Sequence, residues 1–484
     1  MRKLFICLSI MALFTFWGCE DLLVENPKTF ISSANFYKSA GDFEAALKGQ
    51  YVAVRNINLQ KDVSDVFADY NDRPESAEQT GDFWKNNPSS NFWAIRYAWQ
   101  YPYSIVNNSN LILEALNNVD LGDAVESKIE AEAKFLRAYA YFNLVQFFGD
   151  IPLRTSPATS IAETKAPKAP QSDVYDLIIS DLVFAESNLT ENASDVGRVY
   201  KEVATALLAK VYLTSAGFPL NKTANFALAK AKAVEVINSV KFSLVSDYAG
   251  IFHQVRTYTS ESIWEAMFSI PAAFNNLHVR TAPTGSNTAN LMPTEAFINS
   301  FPVGDRRKEW GIKNGYVNAK GHTIIKRTYY NKFIVEKFFE DELAASSAEQ
   351  NCEYSVPILR LAEMYLIAAE AENEVNGPGG AYQYINTVRN RARIDKSNPA
   401  QVPDLSGLSK DSFREAVLME RAWELYTEGS AWFDLKRTQT FNKVQVARGS
   451  SLTVPIGLYN NTWLIPDFEI SNNNIEQNPS YGGK

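Results

Sequence analysis

The run VESKIEAEAKFLRAYAYFNLVQFFGDIP at positions 125–152 decides the fold class. Ile129, Ala133, Leu136, Ala140 and Leu144 recur at steps of three and four. That period draws one apolar stripe along a helix and predicts a helix from Val125 to Phe148. The pattern stops at Gly149-Asp150-Ile151-Pro152, where a glycine past the last turn and a following proline are stop signals. The same period recurs on both sides. Upstream, Ser39 and Asp42 have the spacing of a capping box ahead of Phe43, Leu47 and Tyr51. Ile105, Ile112, Leu116 and Val119 mark a further helix. Downstream come Val174, Leu177, Ile178, Leu182 and Ala185, then Ala204 to Tyr212 ending at Gly217, then Phe226, Ala229, Ala233 and Ile237. Near the C-terminus Ile358, Leu361, Ala362, Tyr365, Leu366 and Ala369 run up to Gly377-Pro378-Gly379-Gly380, and Tyr384, Ile385, Val388 and Ala392 follow.

These are paired helices with short breaks, and alanines such as Ala368, Ala369 and Ala371 let helices approach closely. The pattern is similar to tetratricopeptide hairpins, without a clean 34-residue period. Stacked pairs bury one continuous core. Residues 155–171 are rich in Pro, Ala and Thr and read as a surface connection. Between 240 and 350, short β-branched and aromatic runs (Ser262 to Ile270, Thr323 to Tyr330) alternate with Gly, Asn and Pro-rich loops. The expectation is a mainly α fold: a tetratricopeptide-like helical hairpin scaffold at about 39–240 and 355–440. An irregular loop-rich subdomain with short strands occupies about 240–350, and a C-terminal segment covers 441–484.

The chain has 484 residues, 46% hydrophobic and 21% charged, an ordinary globular composition. Lys and Arg number 47 against 55 Asp and Glu, a net charge of −8. That balance argues against nucleic acid as a partner, which needs a basic face, and against charge-driven attachment to an anionic membrane. At the N-terminus, Arg2 and Lys3 precede an apolar run from Leu4 to Trp17. The run suits a signal sequence and is short for a bilayer span. It ends in Phe16-Trp17-Gly18-Cys19, which is similar to a bacterial lipobox. Residues 1–18 are therefore expected to be a lipoprotein signal, Cys19 the lipidated residue and 19–38 a tether; the alternative is a plain secretory signal. Cys352 is then the only other cysteine left, so no intramolecular disulfide is expected.

Four further segments carry a family resemblance. They are Ala131 to Phe142 with Phe148 to Leu153; Pro357 to Leu366 with Ala368 to Ala371; Glu420-Arg421, Glu424-Leu425 and Glu428-Gly429 with Trp432 to Arg437; and Leu464-Ile465-Pro466 with Gln477 to Tyr481. In this order, behind a lipobox, they resemble the SusD/RagB family, outer-membrane nutrient-binding lipoproteins of Bacteroidetes. The resemblance implies a tetratricopeptide-like scaffold whose loops bind a glycan, or a peptide in some members, without catalysis. It implies a SusC-like TonB-dependent transporter as partner, over which the protein closes like a lid. Glu20 and Asp21 resemble the signal that sends such lipoproteins to the cell exterior. The rival readings are a tetratricopeptide-like surface protein that binds peptide or protein, and a surface glycoside hydrolase.

Signals for catalysis are thin. His253, His278 and His322 have no metal-site spacing, and there is no G-x-S-x-G, Walker A or G-x-G-x-x-G. Cys352 has no evident partner for nucleophilic work. Glu420, Glu424 and Glu428 are spaced four apart with Asp434 beyond, and a glycosidase needs two carboxylates about a sugar bond. The favoured reading is an internal charge network with Arg421 and Arg437 as counter-ions. Asp69-Tyr70-Asn71-Asp72 offers oxygens to Ca²⁺ but lacks the glycine and terminal Glu of an EF-hand, so no cofactor is expected beyond a weak structural Ca²⁺.

The anomaly is aromatic. Phe83, Trp84, Phe92, Trp93, Tyr97, Trp99, Tyr101 and Tyr103 fall within 21 positions, in a chain that is 13% aromatic overall. Aromatic planes stack on the C–H faces of sugars, and placed polar groups bind the hydroxyls. Trp99 and Tyr103 match a packing segment of the family, and the spacing of Trp93, Tyr97 and Tyr101 makes part of that row core. Phe83 and Trp84 sit in a Gly, Asn and Pro-rich loop. The candidate ligand-binding residues are Arg73, Phe83, Trp84, Asn91 and Trp93, with Asn276 and Tyr316 from a second set in the irregular part. That second set also includes Phe274, Asn275, His278, Arg280, Trp310, Tyr329 and Tyr330. Gly304-Asp305-Arg306-Arg307 is similar to a structural element of the family, so its arginines are set aside.

Overall fold

A computed structural model describes residues 36–59, 65, 71–72, 88–158, 160, 163, 165–252, 258–268, 292–317, 321, 323–325, 329–330, 355–441 and 461–479. The first helix, α1 (Ala40–Asn58), starts where the capping pattern predicts: the Asp42 carboxylate accepts the Ser39 N–H at 2.8 Å. Its Phe43, Leu47 and Val54 are buried. Next come α2 (Trp93–Leu116), α3 (Asp123–Phe148), α4 (Gln171–Asn188), α5 (Lys201–Ala216) and α6 (Asn225–Asn238). Each packs on its predecessor. α2 begins at Trp93 and continues through Pro102, so the helix marked by Ile105 to Val119 starts earlier than its apolar period suggests. The predicted stripe of α3 is buried, and almost every residue from Ala131 to Phe148 lies inside, so this helix is the hydrophobic axis of the scaffold. Gly149 caps it at φ 74°, and a Cβ there would meet Thr462 at 2.9 Å.

Among the described residues the strands are short and pair two by two, all antiparallel. β1 (Asn71–Asp72) pairs with β5 (Met292–Pro293), and β2 (Ile151–Pro152) with β3 (Lys168–Ala169). β4 (Ser262–Ala266) pairs with β10 (Val356–Arg360), β6 (Ile312–Lys313) with β9 (Tyr329–Tyr330), and β7 (Tyr316–Val317) with β8 (Thr323–Ile325). Ile358, grouped by periodicity with a helix, lies in β10. Two short helices, α7 (Glu295–Ser300) and α8 (Arg306–Gly311), stand among these strands. Trp264 fastens β4 to the scaffold: its indole donates to the Gly197 carbonyl at 3.0 Å and it meets Phe135 and Tyr139 edge-on.

The remaining helices are α9 (Leu361–Asn376), α10 (Tyr382–Ala392), α11 (Lys410–Glu424), α12 (Ala431–Thr438) and α13 (Asp467–Asn473). α9 packs on α6 and carries α10 and α11, extending the stack of helical pairs. This is the mainly α, tetratricopeptide-like scaffold with an irregular part. The C-terminal segment closes the end of α3. The Trp463 N–H donates to the Phe147 carbonyl at 2.6 Å, and the Asn478 amide to Phe148 at 3.1 Å. Phe147 stacks against Trp432 and Trp463 at 6.0 and 4.2 Å.

The glutamates at the end of α11 have other counter-ions than Arg421 and Arg437. Glu420 pairs with Arg307 and Arg389, both at 2.7 Å. Glu424 takes Arg307 at 3.1 Å, Arg360 at 2.5 Å and Arg391. Glu428, beyond the helix, pairs with Arg360 at 2.9 Å. Asp434 does pair with Arg421 and Arg437 as expected, and those two arginines also bind Glu363 and Glu370 respectively. The correction has a physical reason: side chains on one helix turn point at whatever packs across from them, and the partners come from α8, β10 and α10. Arg307, Glu420 and Glu424 are wholly buried. Charges this deep are tolerable only when paired and hydrogen-bonded on all sides. The three arginines beside Glu424 hold its carboxyl far below the ordinary range against the opposing effect of burial.

Candidate functional site

The aromatic anomaly resolves into two faces of α2. At 100° per residue, Trp93, Tyr97 and Tyr101 share one sector of the helix, and Trp99 and Tyr103 another. The first three form a continuous row: Trp93 and Tyr97 rings lie 6.2 Å apart, and Tyr97 stacks on Tyr101 at 5.2 Å and 23°. Trp93 and Tyr101 are half-buried, while Tyr97 is 37% exposed. Phe92, just before the helix, is buried beside Trp93. Trp99 is core, as the resemblance of its segment implied, packed edge-on to Phe148 at 4.9 Å.

Between the two faces opens a cleft of about 380 Å³. Its walls are α2 (Trp99, Gln100, Tyr103, Ser104, Asn107), the strap Pro152, Arg154 and Ala158, and α13 (Phe468, Glu469, Asn473). The strap is pinned from below. Tyr103 donates its hydroxyl to the Pro152 carbonyl at 2.8 Å, and Asn107 accepts the Ala158 N–H at 3.2 Å. The Arg154 carbonyl accepts from Tyr141 at 2.7 Å and from Asn110 at 3.2 Å. Asn110 is itself held by Arg137, which pairs with Asp181. The backbone of Arg154 is thus fixed while its guanidinium, bonded at 2.9 Å only to the Glu163 carbonyl among the described residues, faces the cleft. Glu469 accepts from Asn473 and from the Trp99 indole. Burial raises its carboxyl pKa, and those hydrogen bonds and Arg154 work against the rise. Burial also pushes the Tyr103 hydroxyl well up.

Of the sequence candidates, Asn91 is exposed in the turn before α2 and Trp93 is the first residue of that helix, so the structure sets these two side by side. Arg73, Phe83, Trp84 and Asn276 lie outside the described residues, as do Cys19, Cys352 and the three histidines. Tyr316 opens β7, and its side chain is outside the described set. Trp310, from the second set, is on α8 and stacks on Phe252 at 5.9 Å. Asn71 and Asp72 form β1, while Asp69 and Tyr70 are outside the described residues. Among the described residues no group of three or more His, Cys, Asp or Glu could hold a metal ion, and no helix is long and apolar enough to cross a membrane. Sequence reasoning missed Gln100, Asn107, Arg154 and Glu469. The available signal was the polar run Gln100, Ser104, Asn107 at helical spacing beside the aromatic row.

Comparison with known proteins agrees with this architecture. The profile of the SusD family matches residues 306–481, and the profile described as starch-binding associating with outer membrane matches 29–213. A curated relative, SusD-like protein P25 of Formosa agariphila, is 27% identical over 89% of both chains. A solved SusD superfamily protein from Parabacteroides distasonis superposes with a TM-score of 0.79 at 24% identity, over 93% of this chain and all 100% of that one. A solved laminarin-binding SusD-like protein does so at 0.75 and 24%, over 92% of this chain and 100% of that one. The two profiles meet both the N-terminal helices and the arginine-bound glutamates of α11, and the fold agrees from end to end: this chain belongs to the SusD/RagB family.

Proposed function

We propose that this protein is a cell-surface glycan-binding lipoprotein. It captures an oligosaccharide without altering it and passes it to a SusC-like TonB-dependent transporter, with lipid on Cys19 holding it to the outer membrane. The observation that carries this reading is the row Trp93–Tyr97–Tyr101. Tyr97 stays 37% exposed although stacked on its neighbour. Flat rings on a rigid helix suit the C–H faces of successive sugar units, and Asn91, exposed in the turn two positions before Trp93, offers an amide for the hydroxyls. Arg73, Phe83 and Trp84, which precede the row in sequence and lie outside the described residues, are the further ligand-binding candidates of this reading. The family profile tied to the outer membrane supports the location. The solved laminarin-binding relative makes neutral glucans the first ligands to try.

The absence of chemistry in this reading has structural support. Glu420 and Glu424, the best carboxylate pair in the sequence, are fully buried and taken up by arginines, so they cannot flank a glycosidic bond. The test is a titration of the full chain with laminari-, malto- and xylo-oligosaccharides, with reducing ends counted in the same samples. Saturable binding to one class with no new reducing ends is expected. Release of reducing ends, or binding only to a peptide library, overturns the reading.

A further inference from the structure

The cleft between α2, the strap and α13 is distinct from the aromatic row and has its own chemistry. Arg154 and Glu469 both line it, yet they form no ion pair with each other, and Arg154 has no carboxylate partner at all among the described residues. Two opposite charges thus face one space without neutralising each other directly. Gln100 makes no side-chain hydrogen bond among the described residues, and Asn107 uses only its carbonyl oxygen, leaving its amide hydrogens unspent. The walls are aromatic: Trp99 and Tyr103 rings lie 5.0 Å apart, and Phe468 stands on the other side. The volume, about 380 Å³, falls within the range of small-molecule sites, about 300–1,000 Å³.

We propose that this cleft is a second binding subsite, for a single uncharged pyranose unit or another neutral polyol of that size. The charge arrangement selects the class. An anionic ligand meets the carboxylate of Glu469, and a cationic one meets the guanidinium of Arg154. A hydroxyl is donor and acceptor at once. A pair of neighbouring hydroxyls can therefore give one hydrogen to Glu469 and accept from Arg154, both as charge-assisted bonds. Gln100 and Asn107 serve the remaining hydroxyls, and the rings of Trp99, Tyr103 and Phe468 take the apolar face. The site is preorganised, because six hydrogen bonds hold the backbone of the strap and two hold Glu469 before any ligand arrives. The proposal rests on the glycan-binding reading for its ligand class and adds to it a separate place and a charge rule.

The experiment uses the full-length chain and small probes: glucose, galactose, mannose and xylose as neutral ligands, glucuronate and glucosamine as charged ones. Binding is followed by saturation-transfer NMR and by hydrogen exchange of the wild-type protein. The expected result is millimolar binding of at least one neutral sugar, with slowed exchange in residues 152–158 and 467–473 and little binding of the charged pair. Arg154→Met should weaken that binding about tenfold to a hundredfold, as the loss of one charged hydrogen bond does. Glu469→Gln, nearly isosteric, should admit glucuronate, a gain that a merely structural role would not produce. Neutral sugars that fail to bind at tens of millimolar, that bind without protecting those two segments, or that bind no better than glucuronate overturn the subsite. Failure of the aromatic row reads differently, as loss of oligosaccharide binding by the wild-type chain.

Discussion

The guanidinium of Arg137 grips the carboxylate of Asp181 through both Nε and Nη2, at 2.8 and 2.9 Å, inside the seam between α3 and α4. Its third arm reaches Asn110 at 2.8 Å, and Asn110 supports the strap that carries Arg154. One buried pair therefore joins three helices and positions one wall of the cleft.

Removing half of that pair should be costly. Arg137→Met leaves a buried carboxylate uncompensated, and about 3–5 kcal/mol of stability should be lost. Replacing both partners, Arg137→Met with Asp181→Leu, should recover much of it, because the desolvation penalty of both charges disappears. Chemical denaturation of the single and double variants measures the difference. A single variant as stable as wild type would show that the pair does not brace the scaffold.

The two faces of α2 should separate in the laboratory. Tyr97→Ala should weaken oligosaccharide binding by about 1–2 kcal/mol, up to about 30-fold, and barely move the melting temperature. Trp99→Ala, two positions on, should cost about 3–5 kcal/mol of stability instead. Calorimetric titration and thermal melting on the same variants read both quantities. Binding that survives Tyr97→Ala, Trp93→Ala and Tyr101→Ala moves the glycan off this helix.

Lys436 makes stability depend on pH. Its ammonium is buried with the Gln146 carbonyl as its only hydrogen-bond partner among the described residues, and burial lowers its pKa from 10.5 to about 7. A folded-state pKa below the unfolded one means that the unfolded chain binds more protons between the two values. Stability from this group therefore rises as pH climbs from about 7 to about 10.5, and is at its lowest below that window. Against Lys436→Met, wild type should gain on the order of 2–4 kcal/mol across the window. Denaturation midpoints at a series of pH values test this, and parallel profiles for the two proteins would remove Lys436 as the source.

Cys19 should be the first residue of the mature chain and carry more than one acyl chain, since a single one anchors only marginally. Mass spectrometry of the wild-type terminus checks it. Cys19→Ala should accumulate as unprocessed or unanchored protein.

Much of the scaffold was legible because its signals are local. The stripe of α3, its Gly149 stop and the Ser39–Asp42 cap of α1 each lie within a few residues of what they determine. The start of α2 was hidden because its first turns carry rings on two sides: Trp93, Tyr97 and Tyr101 on one, Trp99 and Tyr103 on the other. Ile358 was misplaced because β10 runs straight into α9 at Leu361 with no breaker between. Partners of the α11 glutamates were illegible for another reason. Arg307 precedes Glu420 by 113 positions, and only the folded chain brings them together. The cleft is the same case: Gln100, Arg154 and Glu469 come from three segments, and no spacing rule connects them.

The tail also sets an order of events. The last carbonyls of α3 are satisfied by Trp463 and Asn478, the latter 330 positions after the Phe148 it caps. A growing chain can form the α2–α3 hairpin early, but it cannot seal that end until residues 463–478 have been made. Contacts across so long a separation come late and slowly. Residues 463–478 thus act as a completion latch, and a chain stalled before them would display the Phe147–Trp432 surface that Trp463 covers, marking itself for aggregation or proteolysis.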